Sequence, residues 1–281
     1  LPDRQRTAVP TRKFFIRMSS PRRIDVYLVP ALVEPGQLAG QTAVVIDVLR
    51  ATTTIIHALA AGAVAVVPCL EVEEARTIAA GEFPGSAVLG GERGGLAIPG
   101  FDLGNSPRDY TRQRVGGKTV VFTTTNGTRA LLHCRDAKRV LIGSFVNLSA
   151  VCRELADENQ IVLLCAGTNG HVTREDALFA GAVVDELAGR TCPPLPLGEG
   201  RGEGLASGVW VLNDQAELAA DAWRTCKTDL TGGDPLGRAL RASRGGRNLI
   251  ETGQENDIDL AAQIDKFDIV PQLNLATWRI T

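Results

Sequence analysis

Carboxylates and arginines recur here beside turns rich in Gly, Thr and Asn, the company that binding an anionic ester requires. Asp47 ends the apolar run VVID, where an unpaired carboxylate is costly. Arg50 opens the helical pattern that follows, where a cation opposes the helix dipole. Either the two pair, with each other or with another side chain, or they face a phosphate and a divalent metal. Glu92 and Arg93 lie in the glycine-rich GGERGG. Arg93 could clamp an acid group through two parallel bonds, or form an ordinary exposed ion pair with its neighbour. In the stretch Gly100–Pro107, Ser106, Pro107 and Asp109 fit a helix start, which leaves Asp102 and Asn105 unexplained. Asp176 ends a Thr-Arg-Glu-Asp capping box and is accounted for by capping alone unless it serves the site. His171 is either a proton carrier or an inert loop histidine.

These residues need elements to position them. Apolar runs at 24–29, 42–48, 63–68, 86–89, 118–123, 139–144 and 160–165 are expected as strands. Helical patterns at 51–61, 71–80, 127–134, 147–158 and 173–187 alternate with them. Continuous runs such as VVFT, VLIG and IVLLCA suit strands covered on both faces, in a mostly parallel sheet between helices. Beyond residue 209 the pattern is mainly helical, at 213–225 and 234–240, with a last strand expected at 267–271. In such a sheet ligands bind at the carboxyl ends of strands. Three turns fall there: Asp47–Thr54, Thr123–Thr128 and Cys165–Gly170. Thr52, Thr53, Thr125, Asn126, Gly127, Thr168, Asn169 and Gly170 would then offer hydroxyl, amide and helix-N-terminal donors, together with Asn105. Thr, Asn and Gly are also ordinary cap and turn residues. The two TNG turns, 125–127 and 168–170, read either as a duplicated strand–turn–helix unit or as similar turn chemistry.

Composition excludes several classes. The chain has 281 residues, 44% hydrophobic and 22% charged, enough for one sizeable core. A net charge of −2 and 5% aromatic content argue against a nucleic-acid binder. No apolar run approaches the ~18 residues needed to span a bilayer. Residues 1–23 carry seven Arg or Lys without a following apolar stretch, so a secretory signal is not expected. They are taken as a disordered basic extension, with translation expected to start at Met18, the one methionine. Residues 24–281 are expected as a single domain. The segment 192–208, with three prolines and five glycines, would interrupt it as a flexible surface insert, a linker or a lid. Six cysteines without a C-x-x-C pair suit reduced thiols in the cytoplasm. No C-x5-R loop, Walker loop or strand-borne G-x-G-x-x-G occurs, and Asp47-Val-Leu lacks the second Asp of a D-x-D pair. A homodimer is expected only as the commonest soluble assembly.

Four blocks in order, IDVLRATTTI (46–55), GERGG with IPGFDLGNSP (91–107), TTTNGT (123–128) and CAGTNG with T-x-E-D (165–181), resemble the 2-phosphosulfolactate phosphatase family. The tail 243–271 is similar to that family's C-terminal signature. The resemblance implies a three-layer α/β/α fold with a mixed, mostly parallel sheet. It implies a Mg²⁺-dependent phosphoric monoester hydrolase that converts 2-phospho-3-sulfolactate to 3-sulfolactate and phosphate, a step of coenzyme M biosynthesis in methanogens. On that footing Asp47, Glu92 and then Asp176 are the metal or nucleophile candidates. Arg50 and Arg93 would stabilise the transition state, with Asp102 as a supporting partner or general acid. Two alternatives remain: a phosphatase of another small phosphorylated acid, and a non-catalytic anion-binding protein.

Overall fold

The computed structural model describes residues 21–189, 210–228 and 233–281. The Met18 start, most of the basic extension and the 192–208 insert lie outside the described residues. The chain runs β1 (Arg22–Tyr27), β2 (Thr42–Ile46), α1 (Ala51–Ala60), β3 (Ala65–Cys69), α2 (Val72–Glu82), β4 (Ala87–Arg93), β5 (Leu96–Ala97) and α3 (Arg112–Val115). It continues with β6 (Thr119–Thr123), α4 (Gly127–His133), β7 (Arg139–Gly143), α5 (Leu148–Leu155), β8 (Gln160–Cys165), α6 (Arg174–Gly189) and β9 (Trp210–Leu212). The last elements are α7 (Asp214–Lys227), α8 (Pro235–Ala242), α9 (Arg244–Glu251), α10 (Asn256–Ala261), β10 (Gln272–Asn274) and β11 (Arg279–Ile280).

The strands form one mixed sheet in the order β5-β4-β6-β3-β11-β10-β7-β2-β8-β1-β9. Strands β4, β6 and β3 make one parallel block, and β7, β2, β8, β1 and β9 another. The antiparallel hairpin β10–β11 joins them, pairing with β7 on one side and β3 on the other. All five residues of β2 are buried, because a central strand is covered on both faces. Alternate residues serve opposite faces. Val44 and Ile46 pack with Phe145, Phe179 and Leu240 on the face of α5, α6 and α8. Ala43 and Val45 pack with Ile55, Ile56 and Leu131 on the face of α1 and α4. This is the expected three-layer α/β/α arrangement.

Local chemistry sets the helix starts. Asn213, Asp234 and Ser243 each accept a backbone N–H in the first turn of α7, α8 and α9. The strand expected at 267–271 begins later, at Gln272. Pro271 has no N–H for a ladder; its carbonyl accepts from Ile142 N at 2.9 Å, and pairing proper starts one residue on. β1 begins at Arg22, inside the stretch expected to be disordered. Helices α9 and α10 were not expected. No helix among the described residues is long and apolar enough to cross a membrane.

Candidate active site

The turn from β2 to α1 places the central pair. Thr52 Oγ1 donates to Asp47 O at 2.9 Å, and Thr53 Oγ1 donates to Val48 O at 2.8 Å. Both hydroxyls are buried in tying this turn, and neither threonine lines the cavity described below. Asp47 Oδ1 accepts from Ala51 N at 3.2 Å; Oδ2 has no hydrogen-bond partner among the described residues. Burial first, and then the Glu92 and Glu175 charges, push the Asp47 carboxyl up to about 7, against the pull of the Ala51 amide and Arg50. Gly127, at the start of α4, is where it is because of this approach. A Cβ there would stand 2.7 Å from Ala51 Cβ and 2.9 Å from Asp47 Oδ2. Gly127 thus shapes the wall without lining the cavity.

Arg50 does not pair with Asp47. Its Nη1 donates to Asp257 Oδ2 at 2.6 Å and to Gln254 Oε1. Both partners of the ion pair are buried, and Asp257 Oδ1 also accepts from Ser106 Oγ at 2.7 Å. Nε and Nη2 of Arg50 have no hydrogen-bond partner among the described residues, and Arg50 lines the cavity.

Strand β4 is longer than the sequence pattern indicated and carries Glu92 and Arg93 as adjacent strand residues, which point to opposite sides. Glu92 faces the cavity. Its Oε1 accepts from Thr125 N at 2.7 Å and its Oε2 from Gly95 N at 2.6 Å. Arg93 turns away, donating to Thr123 Oγ1 at 2.7 Å and to Leu70 O. Asp102 is exposed and accepts from Leu89 N at 2.8 Å, a brace for the edge of β4 away from the cavity. Asn105 is brought in by the Leu103 bridge to Gly90; it lines the cavity with a buried, unpartnered Oδ1.

The two TNG turns meet. Asn169 N donates to Asn126 Oδ1 at 3.0 Å, and Thr125, Asn126, Thr168 and Asn169 all line the cavity. Gly170 is exposed outside it, as is His171. Asp176 is buried behind this wall, with Oδ1 accepting from Val48 N at 2.9 Å and Oδ2 from Gly167 N at 3.0 Å and Thr173 Oγ1 at 2.9 Å. It does not line the cavity. Its oxygens hold two loops together, and burial raises its proton affinity well above the usual carboxylate range.

The lining residues bound an open cavity of about 210 Å³. Sequence reasoning missed the wall supplied by α9, where Arg244, Gly245 and Asn248 face the same space. It also missed Asp257 and the buried Glu175, whose Oε1 accepts from Gly245 N at 3.1 Å. No cavity-lining residue is a cysteine. Burial pushes the thiols of Cys69 and Cys134 up to about 12, the reverse of an activated nucleophile.

A divalent cation fits this donor set. Asp47 Oδ2 is unpartnered, Asn105 Oδ1 is buried and unpartnered, and two carboxylates share a cavity in which Arg50 is already neutralised by Asp257. Among the described residues no group of three or more His, Cys, Asp or Glu is placed to hold a metal ion. An ion here would be held by the two carboxylates with waters and substrate oxygens completing its shell.

The family model of 2-phosphosulpholactate phosphatase matches residues 27–275 of the chain. The chain is 41% identical over 236 residues to a "Probable 2-phosphosulfolactate phosphatase" of Symbiobacterium thermophilum, covering 84% of this chain and 92% of that one. The protein of the same name in Deinococcus radiodurans is 39% identical over 235 residues, covering 82% and 87%. That of Thermotoga maritima is 36% identical over 250 residues, covering 89% and 95%.

Proposed function

The chain belongs to the 2-phosphosulpholactate phosphatase family, and from that premise we propose that it hydrolyses 2-phospho-3-sulfolactate to 3-sulfolactate and inorganic phosphate. The observation that carries this is the shared cavity: Asp47 and Glu92 face the same space as Arg50, Arg244 and the side chains of Asn105, Thr125, Asn126 and Asn169. A small ester bearing three acid groups needs that mixture. Asp47 and Glu92 hold Mg²⁺ in this reading, with Asn105 Oδ1 as a neutral oxygen donor. The ion, when bound, supplies Lewis-acid polarisation of the phosphoryl oxygens.

The remaining work falls to the chain's own groups. Two backbone amides fix the Glu92 carboxylate. Arg50, held at Nη1, turns Nε and Nη2 toward the phosphoryl group, where fixed donors act on charge as it develops. Thr125 and the Asn126–Asn169 link keep the far wall rigid. Arg93, Asp102 and Asp176 support these parts from behind. We also carry forward a cytoplasmic, homodimeric enzyme with residues 24–281 as one domain. Among the described residues the buried thiols of Cys69, Cys134 and Cys165 favour a reducing compartment, and one sheet links β1 with β11. The acidic balance favours a small anion over nucleic acid as partner.

The test is phosphate release from 2-phosphosulfolactate and from 2-phospholactate, with Mg²⁺ and with EDTA. Release from the sulfonated substrate should need the metal and fall at least roughly 100-fold in Asp47→Asn. Release from phospholactate alone keeps the reaction class and removes the substrate. A folded protein that binds these anions and releases nothing is a binding protein.

A further inference from the structure

The hydroxyls of Thr54 and Ser106 pass over the partners their local sequence offers. A threonine inside a helix ordinarily bonds to a carbonyl one turn back. Thr54, on α1, is buried, and its Oγ1 donates instead to Asn105 O at 2.9 Å, 51 positions along the chain. Ser106 precedes a three-residue 3-10 helix, Pro107–Asp109, and fits the sequence pattern of a cap, but its side chain makes no capping bond there. Its Oγ donates to Asp257 Oδ1 at 2.7 Å. Asn105 lies between these two bonds. The segment before it runs along β4, where Asp102 N and Leu103 N donate to Leu89 O at 3.0 Å and Gly91 N donates to Gly104 O at 3.2 Å. That pairing ends at Gly104, and the two hydroxyls hold the residues that follow. The Asn105 side chain lines the cavity, and its buried Oδ1 meets no partner among the described residues. A buried amide oxygen left without a partner is costly, so an orientation enforced from two sides calls for a reason.

We infer that Thr54 and Ser106 are positioning residues that aim Asn105 Oδ1 at a divalent cation held by Asp47 and Glu92. The inference rests on the function proposed above. A neutral amide oxygen suits a hard cation, and Asn105, Asp47 and Glu92 border one cavity. Neither hydroxyl reaches the ion. Thr54 fixes the backbone of Asn105 at its carbonyl. Ser106 fixes the next residue, and the Asp257 carboxylate that receives its bond also takes Arg50 Nη1 at 2.6 Å. The donor to the cation and the arginine that faces the phosphoryl group are thus tied to one frame, made by α1 and α10. Groups that orient a metal's ligand without touching the metal change its affinity or the activity roughly 10- to 100-fold when removed.

The experiment uses the full chain and takes two readings of Mg²⁺: the concentration giving half-maximal phosphate release from 2-phosphosulfolactate, and the rise in melting temperature it produces without substrate. In Thr54→Val and Ser106→Ala both readings should move, to roughly 10- to 100-fold more Mg²⁺ for the same response. Thr54→Ser, which keeps the hydroxyl, should lie much nearer wild type. Asn105→Ala should shift as they do, and adding Thr54→Val to it should raise the Mg²⁺ requirement no further. A lower metal-free melting temperature in Thr54→Val with an unshifted Mg²⁺ requirement marks a merely structural bond and overturns the inference, as does an additive double variant. Should Thr54→Val not fold, Ser106→Ala, alone and combined with Asn105→Ala, decides by the same criteria on the thermal reading. If wild type is stabilised by Mg²⁺ through Thr54 and Asn105 yet releases no phosphate, the proposed reaction fails and the positioning stands. If release is strong and Mg²⁺-dependent while the variants respond to Mg²⁺ as wild type does, the reaction stands and the positioning fails. A wild type indifferent to Mg²⁺ in both readings overturns the inference as well.

Discussion

Arg50 and Asp257 are 207 positions apart and meet at 2.6 Å in a buried pair. Removing one member of such a pair leaves the other charge unanswered, at a cost of about 3–5 kcal/mol. Asp257→Asn should therefore lower stability in urea denaturation by an amount of that order and reduce kcat as Arg50 loses its anchor. Inorganic phosphate, by supplying the missing negative charge, should recover more stability in the variant than in wild type. An unchanged urea midpoint would show that the pair contributes nothing. The same scale explains which site residues the sequence made visible. Asp47 stood out because a carboxylate is out of place at the end of VVID. Glu92 and Arg93 looked equivalent, and only the extension of β4 past Leu89 decides that one faces the cavity and its neighbour cannot. Thr52 and Thr53 looked like donors to a ligand, but their hydroxyls bond to carbonyls five residues back, which a string of letters does not distinguish.

Helix α1 carries the next prediction. His57 sits near its C-terminal end, edge-on to Phe267 with ring centroids 4.8 Å apart, and its Nε2 is buried without a partner. Burial, with a smaller push from Lys266, lowers the imidazole to about 4 from its usual 6.5. The unfolded chain therefore takes up a proton that the folded chain refuses between these values. His57's contribution to stability should be present above about pH 6.5 and be lost as pH falls toward about 4, while Asp47, raised to about 7, acts with the opposite sign over the same interval. The melting temperature of His57→Gln should fall less over that interval, and equal slopes would assign the acid sensitivity elsewhere. The long apolar strands and α1, α2, α6 and α7 were legible because their periodicity is local. Helices α9 and α10 were not. The segment SRGGRNLIETGQEN has little apolar content and two adjacent glycines that weaken a helix. Its glycines serve contacts made far away: a Cβ on Gly245 would lie 2.2 Å from Glu175 Oε1. Arg244 and Asp257 were hidden with them.

At the level of the whole molecule, the hairpin β10–β11 decides how the parallel blocks relate. Traced through the antiparallel pairs, β3 and β7 run in opposite senses, yet the carboxyl ends of both blocks meet around Asp47, Glu92 and Thr125. The sheet must turn about the hairpin to allow this. Few residues do that work: Leu273 and Ile280 are buried, and Trp278 Nε1 donates to Pro68 O at 2.9 Å. Ile280→Ala should cost about 2–5 kcal/mol in chemical denaturation, whereas Leu96→Ala on the exposed strand β5 should stay within about 0.5 kcal/mol. Comparable losses at the two positions would deny the hairpin its central place. A nascent chain meets the same dependence in time. Until residues 272–280 have left the ribosome, β3 and β7 can each be flanked on one side only, and two bare strand edges of the kind that recruit other chains stand open. Protection by a chaperone, or speed in translating this last stretch, matters more for this protein than for one whose central strands are made first.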